Sequence, residues 1–137
     1  MRFVLDCSVT MAWLFKDEAD SYSESVLSSL RSQGALVPAI WALEVANVLL
    51  TAERRQRVSE AQRVQFTALL VSLPISVVNR TAEQILGATL ALAHEHKLTS
   101  YDASYLDLAL REGLPLATRD QKLRLAARHC GVPLAGK

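Results

Sequence analysis

Apolar and polar positions change their period several times along the chain. Phe3-Val4-Leu5 is a short continuous apolar run closed by Asp6, the pattern of a strand buried on both faces. Ser8 stands where it can cap a short helix over residues 9–15. Asp17-Glu18-Ala19-Asp20 interrupts the pattern. Ser21 with Glu24 then has capping-box spacing for a helix to residue 33, stopped by Gly34. Ala35-Leu36-Val37 reads as a second strand ended by Pro38, and residues 40 to about 55 as a strongly apolar helix. Ser59 with Gln62 opens a helix to residue 72, and Thr81 with Gln84 another to residue 97. Between and after them lie apolar runs at 75–78 and 114–118, a helix at 102–112 ended by Gly113, and a last helix from Asp120 to Cys130-Gly131. Val132-Pro133-Leu134 reads as a final edge strand. This alternation predicts one α/β domain over residues 1–137, with a central, mainly parallel sheet of four to five short strands flanked by helices.

The stretch PAIWALEVANVLL, residues 38–50, poses a chemical question. After Pro38 its only polar residues are Glu44 and Asn47, three apart and so on one face of a helix. With apolar neighbours on nearly every side, the helix is expected to be buried all round. An unpaired ionised carboxylate there would cost on the order of several kcal/mol. Glu44 therefore needs a partner, either an arginine or a cation shared with other acids.

Candidates for such sharing exist. Ligands of open α/β sheets bind beyond the carboxyl ends of the strands. Asp6 closes the first predicted strand, Asp120 follows the strand at 114–118, Asp102 starts a helix, and Glu44 lies in the first turns of a helix that follows a strand. Taken singly, each aspartate also reads as an ordinary turn or helix-start residue. Oxygen-only ligands point to a hard cation, Mg²⁺ or Mn²⁺. One or two such ions can bridge a phosphate and activate a water.

Composition narrows the field less than these positions do. Half of the 137 residues are hydrophobic and the net charge is +1, so a nucleic-acid partner is neither demanded nor excluded. Cys7 and Cys130 form no CxxC pair and read as reduced thiols, Cys7 as core. The N-terminal apolar run is too short for a signal peptide, and no run reaches the roughly 18 residues of a membrane span. A soluble cytoplasmic protein is expected. His94 and His96 are two apart and do not share a helix face, which argues against a zinc helix. No nucleotide-cradling glycine loop is present. Trp13 and Trp41 read as core or interface. Arg119 and Lys122, with Arg124 and the cluster Arg54, Arg55 and Arg57, are candidates for contact with a phosphate backbone, or simply a solvated face.

These residues resemble the PIN-domain family, most closely the single-domain VapC-type toxin ribonucleases of toxin–antitoxin pairs. The matching stretches are VLDCSV at 4–9, ALEVANVL at 42–49, TSYDASYLDLAL at 99–110 and LPLATRDQKL at 114–123. The resemblance implies a three-layer fold and a Mg²⁺- or Mn²⁺-dependent endoribonuclease acting on RNA. Asp6, Glu44, Asp102 and Asp120 match the family's metal-binding catalytic acids, and Ser8, Asn47 and Thr118 match accessory polar positions. It also implies a homodimer and a small antitoxin protein as partner. Asp107 departs from the pattern. It lies about 140° around the helix from Asp102 and is expected to face solvent, at most at a dimer contact. The competing readings are a non-catalytic module that binds metal or peptide at the acids, and a metal-dependent nuclease or phosphatase with a non-RNA substrate.

Overall fold

A computed structural model describes residues 1–136. Four short strands, β1 (Phe3–Leu5), β2 (Ala35–Pro38), β3 (Ile75–Val78) and β4 (Leu116–Ala117), form one parallel sheet in the order β3-β2-β1-β4. Parallel neighbours need crossovers. Helices supply them: α1 (Cys7–Ala12), α2 (Ser21–Gln33), α3 (Ile40–Arg54), α4 (Glu60–Ser72), α5 (Ala82–Gln84), α6 (Leu90–His96), α7 (Ser100–Glu112) and α8 (Gln121–His129). Helix α7 packs across β1, β2 and β4, while α1 packs against α2 and α3. Every side chain of β1 and β2 is buried, which is why both read as unbroken apolar runs.

Local chemistry sets most element boundaries. Ser59 with Gln62 and Thr81 with Gln84 close the expected capping boxes. Gly113 ends α7 with φ +64, a left-handed conformation that suits a residue without Cβ. Other boundaries differ from expectation. Asp20, not Ser21, caps α2: its carboxylate accepts the Ser23 amide at 2.7 Å, and Ser23 Oγ accepts the Asp20 amide in return. Helix α1 starts at Cys7, so Ser8 lies inside it and its hydroxyl is turned to other use. The run at 114–118 narrows to the two residues of β4, and the expected strand at 132–134 reduces to one parallel bridge between Leu116 and Leu134.

Three larger corrections follow. Helix α3 is not buried all round: Ala42, Leu43, Ala46, Asn47 and Leu50 are exposed, with Leu43 at 68%. The helix expected at 81–97 carries a π-helical turn, Ile85–Thr89, between α5 and α6. And Asp107 does not face solvent but is buried. Its Oδ1 lies 3.2 Å from Arg111 Nε and its Oδ2 3.5 Å from Arg80 Nε, and Thr89 Oγ1 stands 3.4 Å from Oδ2. The α7 face opposite Asp102 is covered by the turn around Thr89, so a carboxylate there meets cations rather than water.

Arg80 Nε and Nη2 are buried without a hydrogen-bond partner among the described residues, so removing Asp107 would also leave the guanidinium charge without its ion pair. Asp107→Ala is expected to lower unfolding free energy by about 3 kcal/mol. In urea titration this appears as a fall in midpoint with unchanged slope.

Candidate active site

The four acids singled out by the sequence come from four separate segments, and the fold gathers them at the carboxyl ends of the strands. Asp6 follows β1 directly and is only 4% exposed. The pairing of Leu5 with Ala117 carries on as a hydrogen bond from the Asp6 amide to the Ala117 carbonyl at 3.0 Å, which brings Thr118 beside Asp6. Thr118 Oγ1 donates to Asp6 Oδ2 at 2.7 Å, and Ser8 Oγ donates to the same oxygen at 2.6 Å. Both hydroxyls also accept. Ser8 Oγ takes the Arg119 amide at 3.0 Å and Thr118 Oγ1 the Asp120 amide at 3.1 Å. The chain leaving β4 is thus tied to Asp6 through two hydroxyls.

Asp120 is the N-cap of α8. Its Oδ1 accepts the amides of Lys122 and Leu123 at 2.8 and 3.2 Å, as expected where helix amides lack partners. Asp102 lies in the first turn of α7, whose cap Thr99 accepts the Asp102 amide at 3.0 Å. Glu44 lies in the second turn of α3. Its hydrogen-bond partner is not an arginine: Tyr105 Oη, from α7, donates to Glu44 Oε1 at 2.5 Å.

The acids sense one another. Burial pushes the Asp6 carboxyl upward, opposed by the Ser8 and Thr118 hydroxyls and the Ser8 amide, with the Asp120 charge adding to the rise. Burial raises Glu44, offset by Tyr105 and reinforced by Asp6 and Asp102. Burial raises Asp102, reinforced by Asp6 and Asp120, while the Thr99 hydroxyl and Lys122 pull the other way. The field reaches Cys7, whose thiol is pushed up to about 12 by burial first and then by Glu44 and Asp6. Such a thiol stays protonated, which bears against a nucleophilic role.

An all-oxygen set of four carboxylates, three of them raised by burial and mutual charge, has the donor chemistry of a hard divalent cation. Among the described residues, no three side chains of His, Cys, Asp and Glu are drawn close enough to form a ready metal cage. The acids form an open rim, an arrangement compatible with an ion that keeps waters and takes few protein ligands.

The accessory residues divide. Ser8 and Thr118 bond Asp6 directly. Asn47 is exposed and lines a separate cavity with Phe15, Val48 and Arg55. Arg119 is turned toward the α1–α2 loop, its Nε 3.3 Å from Asp20 and its Nη1 3.6 Å from Glu18. Lys122 is exposed, close enough to Asp102 to lower its carboxyl pKa, and in no ion pair among the described residues. Sequence reasoning missed Tyr105. The signal was present: a tyrosine three residues after Asp102, on the same helical face and among apolar residues, needs a partner for its hydroxyl.

Comparison with known proteins places the fold. Residues 3–129 match the PIN domain family. One relative, Ribonuclease VapC3 of Pyrobaculum aerophilum, is 30% identical over 123 residues, 90% of this chain and 92% of the relative. The crystal structure of PAE2754 from Pyrobaculum aerophilum superposes with a TM-score of 0.69 at 24% identity, covering 92% of this chain and 87% of that one. A toxin–antitoxin complex from Klebsiella pneumoniae gives a TM-score of 0.57 at 22% identity, covering 88% of each chain.

The raised carboxyls predict a pH dependence. A carboxyl whose folded pKa exceeds its ordinary value, 3.8 for Asp and 4.5 for Glu, favours the fold most below that value. This contribution is lost as pH rises through the raised pKa. In chelator, Asp102→Asn is therefore expected to melt above wild type at pH 7, with the difference shrinking toward pH 4. A melting temperature lowered at pH 7, or a gain equal at both pH values, would contradict the electrostatic account.

Proposed function

This chain belongs to the PIN domain family, and from that premise we propose that it is a Mg²⁺- or Mn²⁺-dependent endoribonuclease, the toxin of a toxin–antitoxin pair. The observation that supports the proposal most is that Asp6, Glu44, Asp102 and Asp120, from four chain segments, lie within reach of one another's charge, and that burial and this shared charge raise three of them. The name of the relative, Ribonuclease VapC3, supports RNA as the substrate. The Klebsiella pneumoniae complex supports an antitoxin as the partner.

In this reading Asp6, Glu44, Asp102 and Asp120 hold the cation. When bound, the cation supplies Lewis acidity toward a phosphodiester oxygen and lowers the pKa of a water. The chain's own groups do the positioning. Ser8 and Thr118 fix one oxygen of Asp6, and the first amides of α8 fix one oxygen of Asp120. Lys122, in no ion pair among the described residues, offers a cation beside Asp102 for an RNA phosphate, so that the backbone can approach an acidic rim. Arg119 serves first as the clamp on Glu18 and Asp20 and reaches RNA only on leaving them.

We further assign the chain to the cytoplasm as a single PIN unit over residues 1–137. Among the described residues, no helix is long and apolar enough to cross a membrane. Exposed Leu43 and Leu50 on α3, and exposed Leu86 and Leu90 elsewhere in the chain, support contacts with another protein, a second copy or the antitoxin.

The test is cleavage of a labelled RNA oligonucleotide by the purified protein with Mn²⁺ or with chelator, beside a DNA of the same sequence. RNA is expected to be cut only with metal. Asp6→Asn is expected to lower the rate by more than about a hundredfold. Undiminished cleavage in chelator or by Asp6→Asn would overturn the metal-dependent reading. Equal cutting of DNA would overturn RNA as the particular substrate.

A further inference from the structure

The hydrogen bond between Tyr105 and Glu44 joins residues 61 apart in sequence. Tyr105 is 0% exposed and among the largest fully buried side chains. Its ring is part of the buried core, a task phenylalanine would perform equally well. The hydroxyl is a separate matter. It donates only to Glu44 Oε1, and a buried hydroxyl without that acceptor would carry a desolvation cost and no return.

Glu44 needs such a restraint. It is half-buried on a helix whose neighbouring positions Leu43, Ala46 and Asn47 are exposed. Its side chain has three rotatable bonds, and open water lies on its flank. The charges of Asp6 and Asp102 repel it when it is ionised. Tyr105 acts from the inner side, one turn along α7 from Asp102. The bond from its hydroxyl therefore holds the Glu44 carboxylate over the acidic rim against that repulsion. It takes one oxygen, Oε1, and a carboxylate has a second.

We propose that Tyr105 is a positioning residue for the acidic centre, its hydroxyl holding Glu44 turned toward Asp6 and Asp102 so that a divalent cation meets a carboxylate already in place. This rests on the metal-site reading of the four acids. The same helix then contributes twice, Asp102 directly and Tyr105 through Glu44. The linkage is the kind by which groups behind a ligand raise metal affinity.

The experiment measures Mn²⁺ affinity directly, from the resonance signal of free Mn²⁺ during titration, without substrate. Wild type, Tyr105→Phe, Glu44→Ala, the double variant and Asp6→Asn are compared, each with its melting temperature in chelator. Tyr105→Phe is expected to raise the Mn²⁺ Kd by about tenfold to a hundredfold. In the Glu44→Ala background the same change is expected to add nothing, because the hydroxyl then has no carboxylate to hold. A structural role would instead weaken binding equally in both backgrounds, and that result overturns the proposal. So does a wild-type Kd in Tyr105→Phe, which leaves the metal site itself standing. Glu44→Asp gives a second route with the tyrosine intact. Shortened by one methylene, the carboxylate falls short of the hydroxyl, and a comparable loss is expected; unchanged affinity would overturn the proposal. Wild type that binds no Mn²⁺ brings down the metal-site reading and this inference together.

Discussion

The arrangement at this rim depends on keeping one carboxylate, Asp6, at the end of a strand where water barely reaches it. Ionised, that group costs more to bury than any single hydrophobic contact returns. The cost is met by hydroxyls from either side, Ser8 just ahead in the chain and Thr118 just past the neighbouring strand. The other partners of those hydroxyls, the amides of Arg119 and Asp120, fix the path out of β4 and so the point where α8 begins. The start of α8 in turn orients Asp120. A single buried charge thereby couples the order of two strands, the shape of a loop and the direction of a helix.

What could be read from the chain was what depends on near neighbours. The runs of β1 and β2 are apolar because both faces are covered, and the boxes at Ser59 and Thr81 close within three residues. Asp6, Glu44 and Asp120 were legible as acids where a strand hands over to a helix, and Asp102 as an acid at a helix start, positions set by local pattern. Partnerships across long separations were not legible. Glu44 plainly needed one, but a tyrosine 61 residues on was not among the candidates. Asp107 was misplaced for the same reason. Arg111 is one helical turn away, but the covering turn at Thr89 and the Arg80 guanidinium arrive from another part of the chain. Helix α3 shows a third limit. A run of Leu, Ala and Val looks alike whether it faces a core or solvent, and here Leu43 and Leu50 face outward.

The distribution of positive charge follows from the acids as well. The loop between α1 and α2 is acidic, and it draws Arg57 onto Asp17 and Glu18 and Arg119 onto Glu18 and Asp20. Arg57 also lies over the Phe15 ring at 4.0 Å. Two arginines that look available for a polyanion are thus occupied within the fold, each in exposed pairs that salt would loosen. Lys122, the second residue of α8, keeps no such partner among the described residues and lies close enough to Asp102 to lower its carboxyl pKa.

The π-helical turn at Ile85–Thr89 bears on how this chain compares with others. A π turn accommodates one residue more than an α turn, so the segment after it is rotated by about 100° relative to an uninterrupted helix. Here that phase belongs with a buried Thr89 facing Asp107. A relative with a straight helix in this place would match before and after the turn only across a single-residue gap. Aligned without it, every position from Leu90 to His96 would be matched to a neighbour facing another direction, and a core residue in one chain would be scored against a surface residue in the other.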